Sequence, residues 1–226
     1  MTVRLYLVRH GETGMNKASQ LQGITDMPLT AKGHAQAEQT AQLLRPVPFV
    51  AAYSSDRQRA VATATSILAP HEAVLLQRWA GLREYYFGNL EGETERRLVQ
   101  TSVARYGVKT MTKAWFGGER FAQLIRNFAR LDDTGQAETL PALRARVRHT
   151  FTRLVAEQAT DADVLVVSHG VFLSALIDWL APQQLPPTLL KNASVTRVDA
   201  DGSDWCVRGV NLTTPAALAN VAKPLG

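Results

Sequence analysis

The stretch ADVLVVSHG, residues 162–170, constrains the fold more than any other part of the chain. Its apolar run shows no alternation, and a strand with no polar face is one covered on both sides. Such strands sit inside parallel sheets, which need helical crossovers and a layer of helices on each face. The rest of the sequence supplies those layers. Residues 2–8 read as a first strand, and LTAKGHAQAEQTAQLLRP as a helix with Thr30 as N-cap and Pro46 and Pro48 at its exit. FVAAYSS is a second strand, DRQRAVATATSILAP a helix ended by Pro70, and AVLLQ a third, short strand. TLPALRARVRHTFTRLVAEQ places Leu140, Leu143, Val147, Phe151, Leu154 and Val155 on one side of a long helix. After ADVLVV, VFLSALIDWL is a further helix, and ASVTRVDADGSDWCVRGV reads as a hairpin turning at Asp201-Gly202. The expected fold is α/β: a mostly parallel central sheet with helices on both faces and an antiparallel hairpin at one edge.

With 226 residues, 46% of them hydrophobic, the chain has material for one large domain with a sizeable core. Residues 1–226 are read as that single domain. Residues 93–138 break the strand–helix rhythm and are expected to be a helical insertion over the site-bearing end of the sheet. The net charge of +5 comes from scattered residues, with no polybasic run of the kind that marks a nucleic-acid partner. A small anionic substrate fits that charge equally well. The longest apolar stretch outside the first strand, VFLSALIDWLA, is too short for a bilayer and contains Ser174 and Asp178. The single cysteine, Cys206, has no intramolecular disulfide partner and is expected to be a buried, inert thiol. Taken together, these features predict a soluble, cytoplasmic protein.

Two strands end in the same way. LVRHG puts Arg9, His10 and Gly11 after the first strand, and VVSHG puts Ser168, His169 and Gly170 after the continuous apolar one. The carboxyl ends of strands form the ligand crevice of open α/β sheets, so His10 and His169 are expected to meet there, although 159 positions separate them (169 − 10). Gly170 would allow close backbone approach to an anion at a helix N-terminus. Arg57 and Arg59 follow the second strand, and Glu84 follows the third. Taken singly, each is ordinary: the two arginines suit a solvated first helical turn, and His34, His71 and His149 suit core or surface positions. Their convergence on one edge is what points to chemistry. Arginine forks match phosphate oxygens, a neutral imidazole among cations is a nucleophile, and a carboxylic acid can protonate a departing alkoxide. Arginines beside two histidines oppose a dication, so no metal is expected.

The motifs LVRHGETGMN, LQGITDMPLTAKGHAQA, YSSDRQRAVATA, LREYYFGNLEG and VVSHG, in that order, resemble the histidine phosphatase superfamily, also called the phosphoglycerate mutase-like family. The resemblance covers nearly the whole chain. It implies that His10 is the phosphorylated nucleophile, that Arg9, Arg59 and His169 hold the phosphoryl oxygens, and that Glu84 is the proton donor. Asn16, Gln22 and Gly23 would line the substrate side. Arg57 has no counterpart in the motif.

Three departures from the family pattern stand out. Gln20 replaces an arginine two residues before the Gln-Gly pair, Leu90-Glu91-Gly92 replaces Trp-Glu-Gly, and Glu138-Thr139 is all that remains of a Gly-Glu-Ser stretch. GETGMN is more similar to the phosphatase branch than to the Gly-Glu-Ser-x-Trp-Asn of glycolytic mutases, and YYFGNLEG lacks their Leu-Asn-Lys. The expected activity is therefore a metal-independent phosphatase acting on a small phosphomonoester through a phosphohistidine, without a cofactor. The alternative is a cofactor-dependent phosphoglycerate mutase. A third possibility, a binding protein that keeps the fold, leaves the nucleophile and acid without a use. The expected partner is a small phosphorylated metabolite, with neither nucleic acid nor membrane, and a homodimer is compatible with the sequence. Trp115 and Phe116 in the insertion suit either core packing or a cap on the crevice. Lys109, Lys113 and Arg120 suit either a second anionic group or solvent.

Overall fold

The computed structural model describes residues 2–107, 119–158, 161–188 and 190–222. Six strands form one sheet in the order β3-β2-β4-β1-β5-β6. They are β1 (Thr2–Arg9), β2 (Phe49–Ser54), β3 (Leu76–Arg78), β4 (Ala162–Ser168), β5 (Val195–Asp201) and β6 (Asp204–Leu212). β4, the continuous apolar strand, lies near the centre and pairs in parallel with β1 on one side and β2 on the other. Every residue of β4 is buried, as its lack of alternation predicts. β5 runs antiparallel to β1, and β6 antiparallel to β5.

Eight α-helices are found among the described residues: α1 (Gly14–Lys17), α2 (Ala31–Leu44), α3 (Gln58–Leu68), α4 (Glu95–Tyr106), α5 (Arg120–Leu131), α6 (Leu140–Ala156), α7 (Gly170–Leu180) and α8 (Pro215–Ala222). Successive residues of β1 and β4 feed opposite layers, because strand side chains alternate faces. Leu5, Leu7, Val164 and Val166 pack with residues of α5, α6 and α7, including Ile125, Leu143, Phe151 and Phe172. Tyr6, Val8, Leu165 and Val167 pack with α2 and α3 through Ala41, Leu44, Ala60, Ala64 and Ile67. Each fully buried leucine or valine contributes about 1.5–3 kcal/mol on transfer from water, so the two layers fix the register of the central strands.

Local signals set the helix ends. The Thr30 hydroxyl accepts from Gly33 N at 3.0 Å and starts α2, and the Thr139 hydroxyl starts α6 by accepting from Ala142 N. Leu140, Leu143, Val147, Phe151 and Leu154 are buried as predicted, and Val155 packs half-buried on the same cluster. The segment 93–138 contributes α4 and α5, whose Leu98, Phe121, Ile125 and Phe128 join the core on the α6–α7 face. Trp115, Phe116, Lys109 and Lys113 lie outside the described residues; Arg120 opens α5 exposed.

The structure corrects several local expectations. β3 spans residues 76–78, not 73–77, and Leu75 is 83% exposed. The hairpin turns on Gly202 and Ser203, with Asp201 opposite Asp204 and Gly202 at φ 57°. Cys206 is half-buried because β6 is an edge strand. α1 and α8 were not anticipated. No helix among the described residues is long and apolar enough to cross a membrane.

Candidate active site

β1 and β4 end level with each other, Arg9 opposite Ser168, and His10 N continues the ladder by donating to Ser168 O at 3.0 Å. That register brings the His10 and His169 rings to 5.1 Å between centroids, at 64°. Both histidines are buried, but their Nδ1 atoms meet opposite partners. His10 Nδ1 lies 2.8 Å from Gly11 O. A carbonyl only accepts, so Nδ1 carries the proton and Nε2 presents a lone pair. His169 Nδ1 lies 3.3 Å from Arg59 Nε, which only donates. His169 therefore carries its proton on Nε2, and that buried atom has no partner among the described residues. Arg9 Nε is a second buried donor without a partner among them, while Arg9 Nη1 donates to Leu190 O. Orphaned donors beside a neutral imidazole mark a place for an anion.

Burial, Arg59 and Arg9 hold His10 well below the usual histidine range, which keeps it neutral. His169 is held down by burial, by Arg59, and by the neighbouring His10 and Arg9. Glu84 is displaced the other way. Burial raises its carboxyl above the ordinary carboxylate range, against the N–H groups of Tyr85, Val171 and Phe172 and the charge of Arg59. Those three N–H groups donate to Glu84 at 2.8, 3.0 and 2.9 Å, so the carboxyl sits against the first turn of α7. A carboxyl shifted upward and a histidine shifted downward at one edge of a sheet have the opposed shifts of an acid–nucleophile pair.

Arg59 is fully buried near the start of α3. Besides His169, it donates to Gly23 O at 2.9 Å and Thr25 O at 2.7 Å, which binds the 22–26 loop over the site. Glu91 holds the same loop from its N–H side, accepting from Gly23 N at 2.9 Å and Thr25 N at 3.0 Å. The structure thus places Gln22 and Gly23 in a bolted loop. The Gln22 side chain itself joins Thr13 and Thr25. Asn16 Oδ1 accepts from Thr13 N and Asn192 Nδ2, which leaves its own Nδ2 as the remaining donor. Gly170 is glycine for a reason not foreseen: a Cβ there would stand 3.3 Å from Arg9 Nε, so the missing side chain makes room for the guanidinium. Arg57 is half-buried at the N-cap of α3. His34 and His149 are exposed, and His71 is half-buried against Phe49.

Three further residues escape sequence reasoning, and a fourth, Glu138, is met there only as a departure from the family motif. Thr63, one turn after Arg59, accepts from Gly11 N at 3.0 Å and donates to Arg59 O at 2.8 Å, tying both strand-end groups to α3. Asn192 Nδ2 donates to His10 O at 3.0 Å. Arg146 and Glu138 lie behind Glu84. Only the i,i+4 spacing of Arg59 and Thr63 was open to view in the sequence.

The chain matches the family model described as the histidine phosphatase superfamily (branch 1) over residues 5–213. It is 31% identical over 186 residues to the 2,3-bisphosphoglycerate-dependent phosphoglycerate mutase 2 of Gloeobacter violaceus, covering 80% of this chain and 78% of that one. The crystal structure of phosphoglycerate mutase from Bacillus anthracis superposes with a TM-score of 0.87 at 30% identity, over 98% of this chain and 97% of the other. Phosphoserine phosphatase from Entamoeba histolytica, in complex with 3-phosphoglyceric acid, superposes with a TM-score of 0.71 at 25% identity, over 92% and 96%. Chains named as mutases and as phosphatases both share this fold, and the chain belongs to the histidine phosphatase superfamily.

Proposed function

We propose that the protein is a metal-independent phosphatase that hydrolyses a small phosphomonoester through a phosphohistidine at His10. The observation that carries this reading is the neutral His10 imidazole, its Nε2 lone pair free, beside the unpartnered Arg9 Nε and His169 Nε2 donors. Nε2 attacks phosphorus while the bond to the leaving oxygen breaks. Arg9, Arg59 and His169 stabilise the charge on the transferring group, and the Glu84 carboxyl gives its proton to the departing alkoxide. In the second half, water attacks the phosphohistidine and Glu84, now a carboxylate, takes the proton. Inorganic phosphate leaves and the enzyme is restored.

The runner-up is a mutase, in which an alcohol group of the substrate replaces water in the second half. The names of the relatives favour it. Two features favour water instead: the phosphatase-like GETGMN, and Gln20, whose neutral side chain stands where many members carry a cation. Gln20 is bridged to Thr94 at the start of α4. The test is to incubate the protein with a radiolabelled phosphomonoester, quench in base, and follow label on His10 and in free phosphate. Burst labelling of His10 followed by phosphate release supports the hydrolase. Transfer of label to added 3-phosphoglycerate faster than phosphate release would make it a mutase, and absence of label would remove the covalent mechanism.

A further inference from the structure

Glu84 is carried on an irregular turn that starts at the 3₁₀ segment Ala80–Leu82, not on a strand or helix. A proton donor must be held to within fractions of an ångström, and a turn has no ladder to do that. Its carbonyls find partners elsewhere. Gly81 O accepts from Arg146 Nη1 at 3.1 Å, Arg83 O from the same nitrogen at 2.7 Å, and Glu84 O from Arg146 Nη2 at 3.4 Å. Leu82 O accepts from Ser168 Oγ at 2.7 Å, at the end of β4. All four consecutive carbonyls are therefore satisfied by side chains, three of them by one guanidinium. Arg146 is aimed by Glu138, which accepts from Nε at 2.8 Å and Nη2 at 2.7 Å, while Glu138 N donates to Tyr86 O. The guanidinium also lies 4.7 Å from the centre of the Phe172 ring, and Phe172 N is one of the groups that holds the Glu84 carboxyl.

We propose that Arg146, oriented by Glu138, is the positioning residue for the Glu84 proton donor. The inference rests on the reading of Glu84 as the leaving-group acid. Arg146 touches both halves of the acid's setting: the backbone that carries Glu84 and the helix turn that receives its oxygens. The side chains of the pair are only 24% and 13% exposed, so removing either partner also costs stability. What marks a positioning role is a rate loss that depends on the leaving group, about a hundredfold for a donor displaced by about 1 Å. Lysine cannot replace the guanidinium, because one ammonium does not span three carbonyls and a carboxylate.

The experiment compares single-turnover phosphorylation by glycerol phosphate, a poor leaving group, and by nitrophenyl phosphate, a good one. Arg146→Gln should slow glycerol phosphate about a hundredfold and nitrophenyl phosphate less than about threefold. Arg146→Lys should recover little of the loss. Glu138→Gln, nearly isosteric, should show the same preference at about tenfold, and carries the test if Arg146→Gln does not fold. In Glu84→Gln, adding Arg146→Gln should cost nothing more with glycerol phosphate, because the two act as one unit. Equal slowing of both substrates by the Arg146 and Glu138 variants, or a multiplicative loss in the double variant, would overturn the inference. Those outcomes differ from failure of the underlying reading, in which Glu84→Gln alone slows both substrates alike.

Discussion

The ends of β1 and β4 carry the same short device, a histidine then a glycine after a buried strand, and the structure puts them to opposite uses. After β1, Gly11 packs against another glycine: a Cβ on Gly11 would lie 2.4 Å from Gly33 O. The chain turns away, and its own carbonyl fixes the His10 Nδ1 proton, which frees a lone pair. After β4 the chain enters α7 directly, and an arginine donating to His169 Nδ1 forces the proton onto Nε2. On the proposed mechanism, one imidazole attacks and the other donates. On that mechanism, what separates nucleophile from oxyanion donor is the partner at Nδ1: the motif's own glycine carbonyl for His10, and Arg59, from outside the motif, for His169.

The widest difference between the two should appear on deleting each ring. His10→Ala should abolish phosphate release by about four orders of magnitude or more and eliminate covalent label. His169→Ala should lose about 10²–10³-fold in phosphorylation rate and still label on His10. His169→Gln, which offers an N–H in place of the ring, should regain part of that activity, and His10→Gln should regain none. Label that moves to His169 would reverse the two roles.

The pH profile sharpens the same contrast. His10 works only when neutral, and burial with Arg59 and Arg9 lowers it, so activity should fall off only well below the ordinary histidine value of 6.5. Glu84 works as an acid only when protonated, and burial raises it, so its limb should lie above the ordinary carboxylate value of 4.5. With an alkyl phosphate, kcat/KM should fall on both sides. With nitrophenyl phosphate the high-pH limb should flatten, because that leaving group needs no proton. Identical limbs for the two substrates would detach Glu84 from the leaving group.

The glycines should separate next. Gly11→Ala drives a Cβ into backbone and should cost about 1–3 kcal/mol of stability, measured by urea unfolding. For Gly170→Ala the three nearest atoms all belong to the flexible Arg9 side chain, so it should leave stability nearly unchanged and lower the phosphorylation rate less than about tenfold. If the two substitutions act alike, their surroundings differ less than the distances indicate.

Much of this was readable before any coordinates. β4 announced itself by uniform apolarity, α2 and α6 by caps and periodicity, and the strand-end histidines by residue type at a strand's carboxyl end, whereas Arg59 stood there together with Arg57 and was set apart only by the family resemblance. β3 was misplaced because an edge strand of three residues pairs with one neighbour only, and the apolar Leu75 beside it faces solvent. α1 has four residues, too few for any period to show. Thr63, Asn192, Arg146 and Glu138 are ordinary polar residues in a sequence. Their importance lies in which distant carbonyl or N–H they reach, and that is decided by tertiary packing, not by spacing.

The place of β1 in the sheet also bears on how the protein is made. β1 lies between β4 and β5, which begin at residues 162 and 195. Neither flank of β1 can pair until most of the chain has been translated, a long-range closure of the kind that slows folding. A product terminated before β4 would hold the codons' worth of His10, Arg59 and Glu84, yet have no strand to set the nucleophile against its donor. On the proposed mechanism, the two imidazoles come together only once β4 has been made.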